Sequence, residues 1–235
     1  MFRCFLLLSL CAGLYLFAGS DRYSKILLTG NYHGEDVDIS SEETWLALVH
    51  KDNGFYLEET RLQIDAVHDA MVDRPGEKSG KAINITQHNS SILILAKSLG
   101  LKAGKIQGQT FPGHYFKNDE PQHIQFNGKP YHLRMHIPPV LDRESKSDLE
   151  FSSNEKKQTL RSYYTRAQND TLYVFGDESA VGIIWAGDLD RDGKPDLIMS
   201  LSDHYNVMET ALLLSSKADE GGLVKLVATF RATGC

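Results

Sequence analysis

Asp188, Asp190, Asp192 and Asp196 stand at positions 1, 3, 5 and 9 of one short stretch, with Gly193 at position 6. Carboxylates packed this closely repel one another, and a hard cation is the usual way to neutralise them. Calcium takes about six to eight oxygen ligands, and alternating aspartates on a tightly curled loop aim their oxygens at one centre. The glycine allows the sharp turn, and the main-chain carbonyl at position 7, that of Lys194, adds a further oxygen. The pattern predicts a Ca2+ site made by Asp188, Asp190, Asp192, the Lys194 carbonyl and Asp196. The competing expectation is a solvated acidic turn that binds nothing tightly.

A helix-loop-helix calcium hand requires a bidentate Glu at position 12, where this chain has Met199. The residues before the loop, Val181–Gly187, and those after it, Leu197–Ser202, are largely apolar and read as strands. From Gly187 to Leu197 the chain resembles the calcium loop of FG-GAP/VCBS-type repeats, found in integrin heads and many secreted bacterial proteins. The resemblance implies the same ligands, Asp188, Asp190, Asp192, Asp196 and the Lys194 carbonyl, holding a structural ion between two strands. Such families repeat the unit to build propeller blades; here the motif occurs once.

Other residues with chemical potential are few. Ser202, Asp203 and His204 are the residue types of a hydrolase triad, but sequence neighbours do not converge as triad members do in space. Neither a Gly-x-Ser-x-Gly elbow, an HExxH motif nor a phosphate-cradling glycine loop is present. Asp203, His204 and Asn206 could extend the metal's surroundings or line a small polar site. His132 and His136 have the spacing of a helical zinc pair. Pro130 and Pro138 bracket them, however, and Tyr131, Leu133, Met135 and Ile137 alternate with the polar positions. On a strand, residues four apart are roughly 13 Å apart, so these two imidazoles do not share an ion.

The elements that must position the acids read mainly as strands. Trp45–His50, a turn at Asp52–Gly54 and Phe55–Leu57 form one hairpin, and Arg61–Ala66 alternates polar with apolar. Residues 83–85 and 92–96 are short apolar runs, and Asp73–Gly80 is a loop. Gln122–Phe126, Asn127-Gly128 and Lys129–Ile137 give the clearest hairpin, with the turn dipeptide that favours it. Leu160–Ala167 pairs with Thr171–Phe175, and Thr210–Ser215 pairs with Leu223–Phe230. Asp142–Lys157 is charged and serine-rich, so residues 142–158 are expected to be a loop or linker. It would separate an N-terminal β region, 21–141, from a C-terminal one, 159–235, unless residues 21–235 form one domain. The expected fold is mainly β, antiparallel hairpins and meanders, sandwich-like or partial propeller-like, with few or no long helices.

Met1–Arg3 is a short basic start, Cys4–Ala18 an apolar run, and Ala18–Ser20 a small-residue cleavage signal. The apolar run is shorter than the roughly 20 residues a spanning helix needs, and Leu10 is too bulky before Cys11 for a lipidation signal. A secretory signal peptide over 1–20 is expected, placing the mature chain in the periplasm or outside the cell without a transmembrane segment. Its removal takes away one Arg and no acid, so the charge moves from −6 to −7. That acidity argues against nucleic acid and anionic membrane as partners. Cys235 would be the last remaining cysteine, which excludes an internal disulfide framework and offers a thiol for a linked dimer. Asn84, Asn89 and Asn169 open glycosylation sequons, which matter only in a eukaryotic source. Tyr115, Phe116, Tyr163, Tyr164, Trp185 and Tyr205 are the aromatics that would suggest glycan contact if exposed. The expected function is a calcium-binding, non-catalytic module for a protein or glycan ligand. The alternative is a secreted hydrolase whose Asp and His residues meet only in the fold.

Overall fold

The structure, a computed structural model, describes residues 25–39, 44–86, 91–96, 99–113, 115–138, 145–167, 173–178 and 180–234. The expected signal peptide, residues 1–20, and Asn89, Asn169 and Cys235 lie outside them. In chain order the strands are β1 (Ile26–Leu27), β2 (Gly30–Tyr32), β3 (Trp45–Lys51), β4 (Gly54–Thr60), β5 (Leu62–Val67) and β6 (Gly80–Ile85). There follow β7 (Leu93–Ala96), β8 (Gly104–Ile106), β9 (Gly108–Thr110), β10 (Gln122–Phe126), β11 (Lys129–His136) and β12 (Ser145–Ser153). The last are β13 (Lys157–Ala167), β14 (Tyr173–Phe175), β15 (Val181–Gly187), β16 (Asp196–Leu201), β17 (Val207–Leu214) and β18 (Lys225–Thr233). No α-helix occurs among the described residues, and no helix there is long and apolar enough to cross a membrane. The mainly β expectation holds.

The strands form a five-stranded sheet β1-β7-β3-β4-β8, a small sheet β2-β6-β5, a meander β10-β11-β12-β13-β14, and a sheet β18-β17-β16-β15-β9. The last is central, because both of its faces are covered. Ile198, Leu212, Leu214 and Phe230 pack into one core with the first two sheets. Leu197, Met199, Leu201, Ala211 and Leu213 pack into a second core with the meander. Period-two alternation thus sends neighbouring residues into different cores, and only a continuous apolar run satisfies both. A register shift between Ile183 and Trp185 adds one residue to β15. Ile183 and Ala186 therefore join the second core, while Trp185 enters the first together with Ile184.

One expectation is overturned here. Residues 145–153, inside the stretch read as a loop or linker at 142–158, are the middle strand of the meander. Ser147, Leu149 and Phe151 point inward and are fully buried, while Lys146, Asp148 and Glu150 face out. The period of two was present, but with only two apolar residues it looked like polar loop. Burying Phe151 alone is worth about 2–3 kcal/mol. Because β10 and β11 share this sheet with β12–β14, no domain boundary falls at 142–158.

Candidate metal centre

The acidic loop joins β15 to β16, and Gly187 pairs with Asp196 across its mouth. Two glycines let the strands close beneath it. A Cβ on Gly187 would stand 2.2 Å from the Gln107 carbonyl oxygen and 2.5 Å from the Trp185 ring. One on Gly108, in β9, would lie 2.2 Å from that same ring. Trp185 is therefore seated against bare backbone, and the Asp188 amide donates to the Gln107 carbonyl at 3.0 Å. Leu189, between two of the acids, is fully buried in the first core and pulls the loop inward. Arg191 and Gly193 both adopt positive φ, 63° and 83°, which curls the loop back on itself.

That curl gathers the carboxylates. Asp188, Asp190 and Asp196 each offer an oxygen within 4.8 Å of the others. Two ligands on opposite sides of one Ca2+ are separated by about 4.8 Å, twice a Ca–O bond of about 2.4 Å, so these three oxygens lie within the reach of one ion. Among the described residues this is the one such group of three or more His, Cys, Asp or Glu side chains. The group could hold a metal ion, and its all-oxygen character fits a hard cation.

Asp192 does not belong to that group. Its Oδ1 accepts the Lys194 amide at 2.8 Å and the Ser215 hydroxyl at 3.1 Å, while Lys194 Nζ lies 3.8 Å from its other oxygen. Position 5 of the pattern is thus turned to the loop's own backbone and to the chain beyond β17.

Backbone donors hold the remaining acids. Asp188 accepts the amides of Asp192 at 2.9 Å and Gly193 at 3.0 Å. Asp190 accepts the Asp192 amide at 3.2 Å and the Ser216 hydroxyl. Asp196, with no exposed surface, accepts Leu189 N–H at 2.8 Å on one oxygen. Its other oxygen takes Ser215 N–H at 2.7 Å and Ser215 O–H at 2.8 Å. Burial pushes the Asp196 carboxyl up to about 7, the Asp190 charge adds to this, and the Ser215 and Leu189 donors oppose it. Burial also raises Asp188, with the Asp192 and Asp190 charges adding to the effect. A buried carboxylate beside two others is costly when ionised unless a cation joins it.

The sequence reading missed the residues that clamp the loop from outside. Arg191 donates to the carbonyls of Lys102 at 3.0 Å and Ala103 at 3.2 Å, next to β8. Asn127, at the β10–β11 turn, donates to the Gly193 carbonyl at 3.0 Å. Ser215 and Ser216 close the third side. Lys102, Ala103 and Asn127 are 60 or more positions from the loop residues they meet, and Ser215 and Ser216 follow an intervening hairpin, so no local pattern announces them.

Other expectations resolve differently. Ser202, Asp203 and His204 separate: the Ser202 hydroxyl reaches the carbonyls of His204 and Val207 at 2.7 and 2.6 Å. Asp203 pairs with Arg161 and Arg231, and His204 with Asp177. They do not surround the metal group either, because β16 carries the chain roughly 20 Å from Asp196 to Asp203. Trp185, Phe116 and Tyr163 are core residues, whereas Tyr115, Tyr164 and Tyr205 are 50%, 72% and 69% exposed. A cleft of about 620 Å³ is lined by His33, Asp69, Ser79 and Asn206. Within it His33 Nδ1 meets Asp69 Oδ2 at 2.5 Å. The bond to Asp69 raises the His33 pKa, with the nearby Asp36 and Glu35 charges adding to it.

No protein-family model, curated protein or solved structure matches the chain.

Proposed function

We propose that the 188–196 loop binds Ca2+ and that the protein is a secreted or periplasmic, calcium-stabilised β-protein acting as a non-catalytic binding module. The observation that carries this reading is Asp196: a fully buried carboxylate within 4.8 Å of two others, on a loop clamped from three sides. Bound Ca2+ would offset the desolvation and mutual repulsion of the three carboxylates. It would also lock the point where the first sheet, the meander and the central sheet meet. The Lys194 carbonyl and water would complete the coordination. Exposed Tyr164 and Tyr205 support a protein or glycan ligand. Their backbones flank Gly176-Asp177, which bonds to both, so two aromatic side chains are offered from one short edge.

Thermal unfolding in Ca2+, Mg2+ and chelator tests the metal. At ~1–2 mM Ca2+, with the affinity of about 10⁻⁴ M common to extracellular modules, the gain is roughly 1.5 kcal/mol. For a chain of this size that is a rise of about 4 °C. Asp190→Ala abolishes the rise and leaves the chelated protein little changed. Equal melting in Ca2+ and chelator overturns the reading.

The hydrolase alternative draws support from one observation, the His33–Asp69 pair in its cleft. A buried carboxylate that orients a histidine is one part of a general base. Hydrolysis of esters, peptides or glycosides that His33→Gln eliminates would establish this alternative instead.

A further inference from the structure

Away from the acidic loop, the β10–β11 hairpin brings two histidines together. The sequence pattern drew attention to His132 and His136, which sit on the same strand four residues apart. The register pairs His132 instead with His123 on the neighbouring strand. Their Nδ1 atoms are 3.0 Å apart and their ring centroids 4.9 Å apart.

The hairpin explains why the rings meet. Asn127 and Gly128 both have positive φ, 48° and 72°, so a two-residue turn links the strands and Phe126↔Lys129 closes it. Counting back from that hydrogen-bonded pair, the next pairs alternate between non-bonded and bonded. Gln125↔Pro130 falls on a non-bonded position, which suits a residue with no N–H, and His123↔His132 falls on the next. Side chains approach most closely at non-bonded pairs. Ile124, Tyr131 and Leu133 are buried on the opposite face, which fixes both histidines outward.

We infer that His123 and His132 form a bidentate site for a borderline transition-metal ion, Cu2+, Ni2+ or Zn2+, separate from the acidic loop. Metal–imidazole bonds of about 2.05 Å from nitrogens 3.0 Å apart enclose an angle of about 94°. That is close to the right angle between neighbouring ligands in tetragonal geometry. In the metal-free pair one Nδ1–H donates to the other Nδ1. Moving that proton to Nε2 of the same ring frees both lone pairs without changing the charge. Ring rotation about χ2, a broad torsion, then aims both at one point. Water completes the coordination sphere. The nearest cation along the same strand face, Arg134, is held by Asp119 through two bonds of 2.7 Å, which removes its repulsion. A hard cation gains little from imidazole, so Ca2+ does not compete here.

The test uses the full chain in saturating Ca2+, so that the acidic loop is occupied. Each ion is titrated against a chromophoric chelator, and the Cu2+ complex is examined by electron paramagnetic resonance. The wild type binds one equivalent, tightest for Cu2+, with two imidazole nitrogens coupled to the copper. His123→Gln and His132→Gln each weaken binding about 100-fold, the loss expected when a two-point attachment becomes one-point. Each also removes one nitrogen from the spectrum. His136→Gln leaves both readouts unchanged, and unchanged melting temperatures of the three histidine variants in chelator show that the hairpin stays folded. The inference is overturned if the wild type binds no tighter than His132→Gln, or if His136→Gln removes the second nitrogen. Failure of the calcium reading does not affect this result, since no ligand is shared.

Discussion

Asp196 is sealed beneath a loop that touches three sheets, whereas His123 and His132 stand on the outer face of a hairpin. The acids are crowded together and one is fully buried, so ionising them without a cation costs stability. The imidazoles hydrogen-bond to one another on an exposed face, so leaving them without a metal costs almost nothing. The difference teaches that what a metal-free site costs the fold is separate from how many ligands it offers. Burial and charge set that cost.

The sharpest way to break this contrast is Gly187→Ala. The new Cβ would collide with the Gln107 carbonyl and the Trp185 ring. Overpacking of this kind costs about 3 kcal/mol and should erase the calcium response while the hairpin still binds Cu2+. Denaturant melts and copper titration of the same variant read both halves. A variant as stable as the parent would show that the glycine is not needed to seat the loop.

The next largest effect is on pH. The Asp196 carboxyl is raised from 3.8 to about 7 in the folded, metal-free protein. Its stabilising contribution is therefore complete below about pH 4 and lost as the pH rises through about 7. From pH 5 to pH 8 the chelated protein should lose on the order of 2.5 kcal/mol from this group, and Ca2+ should flatten the profile. Below pH 4 the opposite trend sets in, because hydrogen bonds lower Asp69 and Asp73. Urea midpoints across pH check it. A chelated protein equally stable at pH 5 and pH 8 would mean that Asp196 ionises without cost.

Ser215→Ala is a smaller test on the same side. It removes a hydroxyl shared by Asp196 and Asp192 but keeps the backbone donor. The expected loss is about 1 kcal/mol in calcium, visible as weaker Ca2+ binding by calorimetry. Unchanged affinity would place Ser215 outside the site's support.

The smallest effect belongs to the hairpin. His123→Gln and His132→Gln should shift stability by no more than about 0.5 kcal/mol in chelator, as exposed substitutions do, which thermal melts check. A large loss in chelator would mean that the two rings support the hairpin without any metal.

The sequence alone determined the class of fold and the acidic loop. The hairpin at 122–137 was legible because its turn dipeptide and its alternation agree, and the loop because its acids are local. The short strands β1, β2, β8 and β9, of two or three residues, escaped reading because a period of two needs a longer run to show. The strand β12 escaped because serine and charge masked its three inward positions. Tertiary structure decided which acids converge, turning Asp192 towards Ser215 and drawing Asp188, Asp190 and Asp196 together. It also gave His132 a neighbour, His123, that spacing along one strand does not show. The physical reason is the same in each case. Spacing along one strand sets which side chains share a face, but pairing and burial against distant segments set which of them meet and what it costs them to be charged.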